Sequence, residues 1–182
     1  MILKDEDAKK FYDLWIPLLD FVNKKYKLKK KLYGMKSPKG LPLRSVAVIS
    51  AKLWEDKKVI DEYLSSGFTK LDEEETAIVS SWKRAVSGRF IVDRHLKKGS
   101  VLISIEDNEA YIVKGIYSSW REMLENYPMP QIVQATLLPF GDVIIHDGIV
   151  SPFGMCLGKN MSEESKRIYL KAKANGTLHD RL

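Results

Sequence analysis

Cysteine is almost missing from this chain of 182 residues: Cys156 stands alone. A single thiol excludes an internal disulfide and any zinc site built on paired cysteines. Histidine is nearly as scarce, with His95, His146 and His179 the only three. None stands at helical metal-ligand spacing from another and no HExxH occurs, so no metal is expected. Long apolar runs are missing too: nothing approaches the ~20 residues needed to cross a bilayer, and mean hydropathy is -0.24. The start, Met1-Ile2-Leu3 followed by Asp5-Glu6-Asp7, has no signal-peptide core. GxGxxG and GxSxG motifs are lacking, and no cofactor is implied. The expectation is a cytoplasmic protein with no membrane segment.

What is present is an ordinary globular composition, 45% hydrophobic and 30% charged, with a net charge of +6. That charge is local. Residues 1–50 carry +7, residues 51–75 carry -4, residues 76–150 are neutral, and residues 151–182 carry +3. Six of the eight residues from Lys24 to Lys31 are lysine: Lys24, Lys25, Lys27, Lys29, Lys30 and Lys31. Clustered cations of this kind bind phosphates by releasing counterions. They also complement the end of a helix dipole. With no arginine in the run, bidentate base or phosphate recognition is not on offer.

Phe11, Leu14, Trp15, Leu18, Val22 and Tyr26 mark one helix face over roughly residues 4–31, with Pro17 inside it. This aromatic stripe, with Phe11, Trp15 and Tyr26, serves either as core or as a docking face for a protein partner. Residues 1–36 read as a helical arm and 37–43, with Pro38, Gly40 and Pro42, as a linker to a 44–182 domain. A second helix is expected over Leu43–Ser66. A third starts at a capping box of Asp72 and Glu75 and ends before Gly88.

Beyond Gly88 the period of hydrophobicity falls from 3.6 to 2. Segments 89–96, 100–106, 110–116, 131–139 and 143–150 read as strands joined by tight turns. A short helix interrupts them, opened by Ser119 and Glu122. A closing helix spans about 162–174, stopped at Asn175-Gly176. The fold class expected is α+β: a helical N-terminal half, a five-stranded antiparallel sheet or small barrel, and a C-terminal helix.

Three residues are candidates for chemistry. His146 and Asp147 are adjacent, and Cys156 lies ten residues on, a set that a small hydrolase or transferase could use as base and nucleophile. Against it, neighbours on a strand point to opposite faces, and no third orienting group is evident. The stretch Gly154 to Asn160 imitates a phosphate loop but is one residue short and lacks the metal-holding hydroxyl.

The run Ala135-Thr136-Leu137-Leu138-Pro139-Phe140, followed by Ile144-Ile145-His146-Asp147-Gly148, resembles a β-hairpin module of uncharacterised bacterial proteins. That module is sometimes found beside SEC-C-type segments. The resemblance extends over about residues 76–175 and implies a fold without an assigned activity; the SEC-C cysteines are missing here. The function expected is therefore that of an accessory or binding protein without a catalytic motif. Its alternatives are the hydrolase or transferase above and a weak nucleic-acid binder acting through the lysine run.

Overall fold

The computed structural model describes residues 1–182, except for the side chain of Cys156. The chain divides into two units: Asp5–Arg84, and Ala85–Leu182 together with Met1–Lys4. Segment 37–43 lies inside the first unit, and the division falls where the period of hydrophobicity changes.

The first unit is helical. α1 spans Asp5–Tyr26, α2 Leu43–Glu55, α3 Lys58–Ser65 and α4 Glu73–Ser81. Pro17 is accommodated within α1. The aromatic stripe is core: Phe11 and Trp15 are buried, Trp15 stacks on Trp54 at 5.5 Å, and Trp82 meets Phe11 at 5.8 Å and Trp15 at 5.7 Å. Edge and offset contacts of this kind add to the area that the rings bury. The helix expected over Leu43–Ser66 is two helices. Asp56 adopts a non-helical conformation between them, and its carboxylate accepts the Lys58 N–H at 3.3 Å. The capping box forms as expected: Asp72 accepts from Glu75 N–H at 2.8 Å, and Glu75 accepts from Asp72 N–H at 3.0 Å.

The second unit carries β1 (Val86–His95), β2 (Ser100–Ser104), β3 (Ala110–Val113), α5 (Trp120–Met123), β4 (Gln131–Phe140), β5 (Val143–Cys156) and α6 (Lys159–Asn175). The protein is thus α+β, with six α-helices and a five-stranded sheet among the described residues. The expectation of an all-antiparallel sheet is corrected. β3 pairs with β5 in parallel, Val113 opposite Ile144, so the sheet is mixed. The cause is topological, because α5 and its flanking segments carry the chain across between β3 and β4, which no hairpin turn could do. Hydrogen-bonded neighbours run β1-β2-β3-β5-β4, and β4 pairs back to β1.

Alternation along the strands sorts two cores. Phe90, Val92, Leu102, Val113, Val133, Leu137 and Ile144 gather on one face with Trp120 and Leu124. Ile91, Val101, Ile103 and Ala110 gather on the other, covered by Tyr169 and Ala172 of α6. β2 is therefore buried on both sides. α6 is pinned at a bulge in β1 between Val92 and Arg94. There Asp93 accepts from the buried Ser165 hydroxyl at 2.7 Å, and the Arg94 guanidinium lies 4.1 Å over the Tyr169 ring.

Candidate functional site

His146 and Asp147 sit where β5 departs from its partner. Ala135 pairs with Val150 and Leu137 with His146, so three residues of β5 stand opposite one of β4. Such a bulge frees backbone N–H groups that must find acceptors inside the fold. The two candidate side chains supply them. Nδ1 of His146 accepts the Gly148 N–H at 3.0 Å, and Oδ1 of Asp147 accepts the Ile149 N–H at 3.0 Å. Gly148, at φ +87°, takes the left-handed conformation that this chain path requires. The His-Asp-Gly run is therefore a device for bending a strand, each side chain capturing the N–H two residues on.

Burial completes that picture. His146 is 4% exposed and Asp147 2%. The His146 ring meets Trp120 edge-on at 5.3 Å, and burial lowers its pKa from 6.5 to about 4. Its Nδ1 is an acceptor, so in the neutral ring the proton resides on Nε2, which has no hydrogen-bond partner. Cys156 follows at the end of β5, and its side chain lies outside the described set. His179 pairs with Glu109 at 2.7 Å at the surface. Among the described residues no group of three His, Cys, Asp or Glu side chains could hold a metal ion. No helix among them is long and apolar enough to cross a membrane.

The lysine run is built differently from a plain helix end. α1 stops at Tyr26, and Lys27 turns into the left-handed region at φ +54°. Lys30–Leu32 then form one turn of 3-10 helix. Two polar side chains buried on α1 fix this path. Asn23, fully buried, accepts the Lys29 N–H at 2.7 Å and donates to the Lys29 carbonyl at 3.0 Å. Asp20 accepts the Gly34 N–H at 2.8 Å. The sequence signal was available: Asp20 and Asn23 are polar residues three apart within an apolar helix face, where only a specific partner justifies burial.

The six lysines divide accordingly. Lys24 pairs with Asp20 at 2.8 Å and lies over Phe68. Lys25 pairs with Glu62 and lies over Tyr26. Among the described residues Lys27, Lys29, Lys30 and Lys31 make no ion pair, and all but the half-buried Lys29 are exposed. Four lysines thus stand on a backbone held by Asn23 and Asp20.

No protein-family model, curated protein or solved structure matches this chain.

Proposed function

We propose that this is a non-catalytic binding protein that meets the phosphate backbone of a nucleic acid through Lys27, Lys29, Lys30 and Lys31. The closed five-stranded barrel of the second unit serves as its scaffold, and the kinship with the bacterial hairpin module concerns that scaffold. The single cysteine fits a reducing cytoplasmic setting. The observation that carries the reading is the clamp of Asn23 and Asp20 on the lysine turn. A preformed turn loses little backbone entropy when it binds, and lysines with no ion pair among the described residues keep their charge available for counterion release. Lysine acts as a point charge without the arginine fork, so the binding is weak and indifferent to base sequence.

The catalytic alternative through His146, Asp147 and Cys156 is disfavoured by the same logic. The Nδ1 of His146 and Oδ1 of Asp147 are committed to the bulge, and the imidazole is enclosed.

A mobility-shift titration at two salt concentrations tests the proposal, comparing the protein with its K27Q/K29Q/K30Q/K31Q variant. Binding at low salt that weakens at high salt, and that the variant loses, is the expected outcome. Absence of binding at low salt, or equal binding by the variant, overturns it.

A further inference from the structure

The second unit has a surface feature of its own. The β1–β2 turn and the segment leading into α5 frame a cleft of about 370 Å³, bordered by Met1, His95, Leu96, Lys97, Ser100, Ser119 and Arg121. That volume lies in the range of small-molecule sites.

Its charge is one-sided. Lys97 and Arg121 are exposed, and among the described residues neither forms an ion pair and no carboxylate borders the cleft. The Glu122 carboxylate next along the chain is held by the Ser119 N–H at 2.7 Å and the Ser119 hydroxyl at 2.8 Å. Ser100 is 4% exposed, and its Oγ lies 2.7 Å from Nδ1 of the half-buried His95. A hydroxyl–imidazole pair thus sits together with the exposed Lys97 and Arg121, the Met1 terminus and an apolar side chain, Leu96.

Both walls are rigid. In the β1–β2 turn the Leu96 N–H donates to the Gly99 carbonyl at 2.8 Å. Gly99 lies so close to β3 that a Cβ there would stand 2.8 Å from the Val113 carbonyl oxygen. On the other side Gly115 approaches the Ser118 carbonyl even more closely, and Ser119 caps α5 through a complete capping box. The cleft is therefore preformed.

We propose that this cleft binds a small phosphate ester, with Arg121 and Lys97 pairing the phosphoryl oxygens and the His95–Ser100 pair donating one further hydrogen bond to them. A tetrahedral dianion suits this donor set because it can accept from a guanidinium, an ammonium and the one N–H or O–H that the His95–Ser100 hydrogen bond leaves over. Leu96 supplies the apolar contact for the organic part. Burial, and then the nearby Arg121 charge, hold the His95 pKa below its ordinary value; a bound dianion reverses the second effect.

The test follows the histidine ring resonances of the full-length protein by NMR at constant ionic strength. Inorganic phosphate, a nucleoside 5′-monophosphate and acetate are each titrated against chloride. The expected result is a saturable shift confined to His95, tightest with the nucleotide and weakest with acetate. Arg121→Gln and Lys97→Gln each weaken it by about tenfold, the loss of one charge-assisted contact, while Lys98→Gln, outside the cleft, leaves it unchanged. Unmoved His146 and His179 resonances certify that each variant is folded. Three results each overturn the proposal: no His95 shift with either phosphate probe, equal shifts with acetate and phosphate, and equal weakening by Lys98→Gln. Equal affinity for phosphate and the nucleotide overturns the ester and leaves inorganic phosphate as the ligand.

Discussion

Acidification should destabilise this protein through one residue in particular, His146. Its ring is enclosed against Trp120 and accepts the Gly148 N–H on Nδ1, so the folded state holds it neutral. Burial places its folded pKa at about 4, against 6.5 for the exposed ring. Above pH 6.5 both folded and unfolded chains carry the neutral ring, and its contribution to stability is complete. As pH falls below 6.5 the unfolded chain takes up a proton that the folded chain refuses until about pH 4. Stability is therefore lost across that window. At ~1.4 kcal/mol per pKa unit the whole loss is on the order of 3 kcal/mol. Urea denaturation measured in steps from pH 7.5 to about pH 4.5 reads this loss. His146→Asn is the control, since the Asn Oδ1 can accept the same N–H yet does not titrate. The variant should start less stable at neutral pH, by about 1–2 kcal/mol for the lost ring contact, and then lose less stability on acidification. Carboxylates common to both proteins cancel in the difference. If protein and variant lose stability in parallel, His146 is not the buried neutral group described here.

Two glycine and capping predictions follow from the same geometry. Gly115→Ala should be severely destabilising, by several kcal/mol, because the new Cβ would stand 1.9 Å from the Ser118 carbonyl oxygen; a thermal midpoint within a degree or two of the parent contradicts it. Asp72→Ala removes the side chain that accepts the Glu75 N–H and should lower the stability of the helical unit by about 1 kcal/mol, read in the same denaturation experiment.

Local rules carried the sequence reading a long way. Both capping boxes, the αL stop at Gly176 and the tight reversal around Gly141 depend only on neighbours in the chain, and all four are present, the reversal with Phe140 still in β4. What the sequence left hidden was set by contacts far along the chain. The parallel pairing of Val113 with Ile144 depends on where the segment through α5 delivers β4, and no local pattern encodes that. β5 continues to Cys156 across Ser151-Pro152-Phe153-Gly154, which reads as a turn, because a second bulge absorbs Gly154 within the strand. The helix end at Tyr26 was invisible to hydrophobic periodicity, since the break is made by the Asn23 side chain reaching the backbone of Lys29. The candidate site shows the same division. His146 and Asp147 look like chemistry as letters, and only the register of β4 against β5 reveals them as acceptors for a bulge.

The proposal that the lysine turn meets phosphates is tested most directly by the salt dependence of nucleic-acid affinity. Fluorescence anisotropy with a labelled oligonucleotide gives log K against log[salt] for the parent and for K27Q/K29Q/K30Q/K31Q. Each phosphate contact contributes a slope of about -0.7 to -0.9, so the parent slope should be steeper by roughly 3. Identical slopes for the two proteins would contradict the assignment of the interface to this turn.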